Sequence, residues 1–237
     1  MQHFLVLFAI LYSTVWNVDD PFSPLFNGED LSGWKVKCVQ ADKDKSYWKA
    51  VDGIIEANSI GDKKHDYMWL MTEKEYGNFI LQLKFKAFRG NPGNSGVQIR
   101  SRYDDAEEWL DGPQIDINPK GPWRTGMMWD ETRKTNRWIF PDLPKGKWVD
   151  STMILNPAPF NYDGDPEAWN ELEIKAKGMR IKAWLNGVLI TDMKGKGILD
   201  DAIHQKYGVG TKGHIALQIH IRDELKMQYK DIEIREL

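Results

Sequence analysis

The chain has 237 residues, 41% hydrophobic and 28% charged, enough for one large globular domain with ample core material. Its 32 basic and 35 acidic residues leave a formal charge of -3, without the basic excess that a nucleic-acid binder needs. The single cysteine, Cys38, excludes an intramolecular disulfide framework and any cysteine-rich zinc site.

The chain opens on an apolar run, Phe4 to Trp16 (FLVLFAILYSTVW). It is too short for a spanning helix, which takes about 20 residues, and it suits the hydrophobic region of a signal peptide. Residues 1–18 are therefore read as an export signal and 19–237 as one domain, periplasmic or secreted. The flanks fit less well: Gln2 and His3 bring no positive charge, and Ser13 and Thr14 are the nearest small residues to a cleavage site. A first core strand or a misplaced start codon is the alternative. No other stretch is long and apolar enough for a membrane helix.

The remainder of the chain is strand-rich. In residues 78–88 (NFILQLKFKAF), Phe79, Leu81, Leu83 and Phe85 alternate with Ile80, Gln82, Lys84 and Lys86. That is the period of a half-buried strand. Residues 97–102 (VQIRSR) and 114–117 (QIDI) alternate likewise. Residues 171–177 and 180–185 flank a Gly178-Met179 turn, and Asn186-Gly187 gives a second hairpin signal before Val188. Residues 214–220 (HIALQIH) and 227–237 supply the last strands. The sequence shows no amphipathic helix longer than two turns. Many short strands with turns between them predict an all-β antiparallel sandwich or jelly roll. Two long loops, about 140–168 and 193–212, interrupt them.

Three strands repeat one pattern: Gln98-x-Arg100, Gln114-x-Asp116 and Gln218-x-His220, with Ile99, Ile115 and Ile219 between. Residues two apart point to one side of a strand, so each pair sits opposite its core isoleucine. An amide beside a charge suits polyhydroxyl recognition, because Gln both donates and accepts while charged groups make stronger bonds. The alternative is three ordinary outer faces. Of the eleven tryptophans, Trp34, Trp48, Trp169 and Trp184 are read as core or corner packing, whereas Trp109, Trp123, Trp129, Trp138 and Trp148 could line a cleft. The sequence has no G-x-S-x-G, H-E-x-x-H, P-loop or G-x-G-x-x-G motif. The strand at Gln114 also lacks the E-x-D-x-x-E carboxylates of laminarinase-type sandwich glucanases.

An ordered set of motifs resembles the 3-keto-disaccharide hydrolase domain family. It comprises Pro24 to Lys35 (PLFNGEDLSGWK), Trp48 with Val51-Asp52-Gly53-Ile54, Thr72 to Phe79, and Asn94-Ser95-Gly96-Val97 with Arg100. It continues with Gly112-x-Gln114-x-Asp116, Trp129-Asp130-Glu131, Trp169-Asn170-Glu171, Leu185-Asn186-Gly187 and Gly213 to His220. The resemblance runs over about 22–237. Pro113, Trp129 and Ile221 depart from the commoner family residues. The resemblance implies a concanavalin A-like jelly roll and action on glycosides whose C3 hydroxyl has become a ketone.

A C3 ketone acidifies the C2 proton; its removal lets the C1 substituent leave, and water can then add. That route needs a base, an acid for the leaving oxygen and a cation or donor for the enolate. His220 is the natural base or acid, and Asp116 a base or orienter. Glu131 would be an acid if burial raises its pKa. Arg100 and Lys86 would hold the oxyanion. Asn94, Gln98, Gln114 and Gln218 would position hydroxyls, with Trp129 as a stacking wall. A divalent cation at Asp116, Glu131 and His220 is conceivable, though their spacing carries no ligand motif. No other cofactor is expected; the partner is an oxidised glycoside. A non-catalytic carbohydrate-binding module, an ordinary sandwich glycosidase and a structural domain are the alternatives.

Overall fold

A computed structural model describes residues 21–154 and 156–237; the export signal read at 1–18 lies outside the described residues. The strands in chain order are β1 (Ser23–Pro24), β2 (Trp34–Cys38), β3 (Trp48–Val51), β4 (Ile54–Asn58), β5 (Met68–Thr72) and β6 (Phe79–Pro92). Next come β7 (Ser95–Asp104), β8 (Trp109–Asp111), β9 (Pro113–Ile117), β10 (Met128–Asp130) and β11 (Arg137–Phe140). The last are β12 (Asn170–Lys177), β13 (Arg180–Leu185), β14 (Val188–Lys194), β15 (His214–Ile219) and β16 (Leu225–Glu236). One short helix, α1 (Ala202–Tyr207), precedes β15. Among the described residues no helix is long and apolar enough to cross a membrane.

The strands form two antiparallel sheets, the sandwich the alternation predicts. The back sheet runs β14-β13-β12-β6-β16-β4-β3, with β1 on β16; the front sheet runs β11-β10-β9-β7-β15-β5-β2, with β8 on β7. Phe79, Leu81, Leu83 and Phe85 of β6 meet Ile115 and Ile117 of β9 and Leu217 and Ile219 of β15 in one buried core. Burying each such side chain stabilises the fold by roughly 1.5–3 kcal/mol before entropy is counted.

The front sheet's outer face is partly roofed. Leu110 of β8 lies over Trp69, Met71 and Ala216, with Tyr67, Tyr103 and Trp109 at the edge of this second cluster. The open part of the face lies toward β9 and β10.

β7 carries a bulge that sequence periodicity cannot see. His214 of β15 pairs with Ser101 but Ala216 pairs with Gln98, so β7 holds one extra residue, and Arg100 there has φ 52°. A bulge ends the two-residue alternation. Arg100 therefore does not share the face of Gln98. It is 1% exposed. Its guanidinium donates to the carbonyls of Gly77 (2.8 Å), Gly178 (2.8 Å) and Gly210 (3.1 Å) and to Asn78 Oδ1 (3.4 Å). It ties three turns together, and burial lowers its pKa to about 10.

Candidate active site

The candidate site is built around β9. Gln114 and Asp116 stand two residues apart on it, both buried. Gln114 pairs with Trp129 of β10 on one side and with Gln98 of β7 on the other. Next to Gln98, Gly96 leaves the space that Gln114 occupies: a Cβ at Gly96 would stand 2.3 Å from Gln114 Cδ. The Asn94-Ser95-Gly96 motif thus has a steric reason.

The loop after β9 returns a cation to the strand. Asn118 Oδ1 accepts the N–H of Gly121 (2.8 Å), and Pro122 opens a short 3-10 turn over Pro122–Arg124. Arg124 Nε then donates to Asp116 Oδ2 at 2.8 Å. Burial raises the Asp116 pKa to about 6, even with Arg124 pulling it down.

Glu131 follows β10 and is clamped. Its N–H donates to Gly112 O (3.0 Å), and its carbonyl accepts Trp109 Nε1–H (2.9 Å). On one side, Asp130 Oδ2 lies 3.2 Å from His204 Nε2, inside the fold. Burial disfavours the charged form of His204, yet Asp130 and Asp201 hold its pKa above the usual value. On the other side, Arg133 grips Asp111 (2.7 Å) and Asp104 (2.8 Å). The Glu131 carboxyl faces the cleft, with Gln218 Nε2 at 3.4 Å from its Oε1. Burial raises its pKa to about 7, against hydrogen bonds from Trp129 and Gln218 and with the nearby Asp130 and Asp116 charges adding to the rise.

His220 ends β15. Its Nδ1 lies 3.1 Å from Ile221 O and 3.7 Å from Asp223 Oδ2, while its Nε2 lies 3.1 Å from the Tyr67 hydroxyl. A carbonyl only accepts, so Nδ1 carries the proton and Nε2 accepts from Tyr67. Burial lowers the His220 pKa, opposed by Asp223 and the Ile221 carbonyl, so the ring is neutral near pH 7. Asp223 also accepts the Asn94 N–H (2.8 Å) and Lys120 Nζ (3.1 Å), which fixes the turn. Tyr67 stacks on Trp69 and meets Trp109 and His220 edge-on. Burial pushes its hydroxyl pKa up, so it stays a proton donor.

These groups enclose a cavity of about 140 Å³ lined by Tyr67, Asn94, Gln114, Asp116, Arg124 and Glu131, together with Asn136, His220 and the tryptophans 109, 129, 138 and 148. Six predicted residues therefore converge: Asn94, Gln114, Asp116, Trp129, Glu131 and His220. Gln218 is buried beneath Glu131. Gln98 lies under the β8 roof, its Nε2 donating to Leu110 O (3.0 Å). Lys86 stands on the back sheet, its Nζ 3.7 Å from Asp163 and 4.8 Å from the Trp169 ring centre. Neither Lys86 nor Arg100 can hold an enolate oxygen in this cavity. Arg124, which sequence reasoning missed, is the cation on its wall; Tyr67, Asp223 and Asn136 were missed as well. The Gly121-Pro122 turn is the only sequence signal that could have drawn attention to Arg124.

Gln114 Oε1 is buried with no hydrogen-bond partner, an acceptor available to a hydroxyl donor. Among the described residues no three His, Cys, Asp or Glu side chains stand together as metal ligands. A wider depression of about 500 Å³ lies outside the back sheet, lined by Gln82, Lys84, Glu171, Glu173 and Trp184 among others. Trp184 is thus on an outer face rather than in the core. Most of the polar groups there satisfy one another, as in Gln82–Glu173 (2.7 Å) and Lys84–Asp231 (3.1 Å), so the front cleft is the better candidate for chemistry.

The sandwich with an amide-lined cavity on its front face is the architecture of a carbohydrate-active β-sandwich protein, and the family match supports that class. Within that class the chain belongs to the 3-keto-alpha-glucoside-1,2-lyase-like domain family, whose model matches residues 21–235, as the motifs indicated. A provisionally assigned glycosyl hydrolase from Parabacteroides distasonis ATCC 8503 is 21% identical, with TM-score 0.57 over 91% of this chain and 94% of its own. A second such structure from that organism is 23% identical, with TM-score 0.56 over 92% and 100%. The carbohydrate-binding module CBM66 from Bacillus subtilis is 14% identical, with TM-score 0.53 over 86% and 96%. At these identities the three share the fold. No curated protein matches the chain.

Proposed function

We propose that the protein cleaves the glycosidic bond of 3-keto-glycosides by elimination across C1–C2, followed by addition of water. One observation carries this reading: a neutral histidine whose Nε2 lone pair accepts the Tyr67 hydroxyl and a carboxylic acid of pKa about 7 face the same small cavity. Such an acid and base are both in their working forms near neutrality. The family description supports the elimination.

In this scheme the reacting ring fills the cavity, its hydroxyls held by Gln114 and Asn94. His220 Nε2 takes the C2 proton, directly or through the Tyr67 hydroxyl, which passes its own proton to Nε2 as it accepts the one from C2. The electron pair moves into the C3 ketone, and Arg124, oriented by Asp116, stabilises the enolate oxygen. As the enolate collapses, the C1–O bond breaks and Glu131 protonates the departing oxygen. The product is a C1=C2 enone and a free alcohol. Water then adds its oxygen to C1 and returns a proton to C2, giving net hydrolysis. The Ile221 carbonyl, which accepts the Nδ1–H, holds His220 in the required tautomer. Export of the chain, read from the apolar run at 4–16, belongs to the same proposal.

The test is product analysis on a 3-keto-glucoside and on its unoxidised parent, with and without a chelator. Cleavage of the keto sugar alone is expected, with deuterium entering C2 in heavy water. Cleavage of both would indicate an ordinary glycosidase. Binding without cleavage of either would indicate a binding module. Loss of activity with chelator would add a divalent cation to the site.

A further inference from the structure

The size of the cavity and the character of its rim extend this reading. The cavity of about 140 Å³ is well below the roughly 300–1,000 Å³ of pockets that enclose a multi-ring ligand. One sugar ring fills it. A glycoside also carries a second group on its C1 oxygen, and that group must lie outside.

Trp148 lies there. It lines the mouth and is 62% exposed, the most exposed large hydrophobic side chain among the described residues. An indole is costly to leave in water, and its flat face suits the C–H face of a ring. Its plane is held. One face stacks on Trp129 (centroids 5.2 Å apart, planes 14°), and Trp138 meets it edge-on (6.4 Å, 73°). The next residue, Val149, is buried in a cluster with Met127 and Trp138. Asp150 then caps the short turn Ser151–Met153, accepting the Thr152 N–H. A fixed aromatic plane with one covered face stands at the rim of the cavity.

We propose that Trp148 is the platform for the leaving group. The protein would then favour glycosides whose second group is itself a ring with a flat apolar face, such as another pyranose or an aryl group, over those with a small alkyl group. This rests on the cavity being the seat of the reacting ring.

The experiment compares kcat/KM for the native protein, Trp148→Ala and Trp148→Phe. The substrates are a 3-keto-disaccharide, a nitrophenyl 3-keto-glucoside and a methyl 3-keto-glucoside, each in both anomers. The loss caused by Trp148→Ala should be about tenfold greater on the two ring-bearing substrates than on the methyl glycoside. Trp148→Phe should keep most of that preference. Equal losses on all three substrates, or a Phe variant no better than the Ala variant, would overturn the platform. If the native protein turns over none of them, the proposed reaction fails, and the platform is judged by calorimetry. A native preference for an unoxidised disaccharide over its methyl monosaccharide, abolished in Trp148→Ala, upholds it. The absence of that preference, or its survival in the variant, sinks it.

Discussion

Arg100 and the Asp116–Glu131 pair are charged groups withdrawn from water on neighbouring strands, and two of the three come from the same Gln-x-charge pattern. Their surroundings differ. Arg100 spends its donors on three backbone carbonyls and one amide oxygen, all from turns the fold needs to close. The two carboxyls face a cavity, and one amide oxygen beside them, Gln114 Oε1, has no partner at all. A buried charge whose bonds are all internal holds a structure together. A buried charge with capacity left over is held ready for a ligand, and burial has moved its pKa toward neutrality.

The comparison breaks first on catalysis. His220→Asn and Glu131→Gln should each lower kcat on a 3-keto-glucoside by about 10²–10⁴-fold without lowering the melting temperature by more than a few degrees. Normal turnover by either variant would remove that residue from its role. The same pair sets the pH profile. The His220 base is lost as the pH falls below its lowered pKa, and the Glu131 acid is lost as the pH rises through about 7. kcat/KM should therefore follow a bell with its alkaline limb near pH 7, and Glu131→Gln should lose that limb along with most of the rate.

Arg100→Ala reverses the pattern. It leaves three carbonyls without donors and opens a void, so stability should fall by about 4 kcal/mol in urea unfolding. The kcat of the protein that remains folded should be close to native, because Arg100 does not line the cavity. A large fall in kcat with unchanged stability would contradict the placement.

The difference between these two regions also marks what a sequence can tell. Alternation identified the core faces of β6, β9 and β15 because side-chain direction there depends only on local backbone period. It put Gln114 and Asp116 together for the same reason. It failed at Arg100, where one inserted residue shifts the register, and at Lys86, because alternation assigns a residue to a face but not to a sheet. Tyr67 reaches His220 across 153 positions of chain, a contact that no local pattern encodes. Arg124 reaches Asp116 only because a proline-led turn doubles back. The family motifs supplied Glu131 and Trp129, which periodicity alone leaves in an irregular stretch.

The smallest effect sharpens the contrast most, because it measures what a functional charge costs the fold. Glu131 has a pKa of about 7 in the folded protein against an ordinary 4.5. The folded state therefore binds this proton more tightly than the unfolded chain does. Its stabilising effect is complete below about pH 4.5 and is lost as the pH rises through about 7. Above that, the fold carries an ionised carboxylate it would rather not bury. Glu131→Gln keeps the oxygen that accepts from Gln218 and removes the charge. The variant should match the native protein near pH 4 and exceed it by about 3 kcal/mol at pH 8, a rise of several degrees in melting temperature. Arg100 offers no such gain, since every substitution there breaks bonds the fold relies on. Equal stability of the native protein and Glu131→Gln at both pH values would mean that Glu131 is better solvated than its burial implies. Glu131 would then ionise like an ordinary surface carboxylate and could not serve as the acid near neutrality.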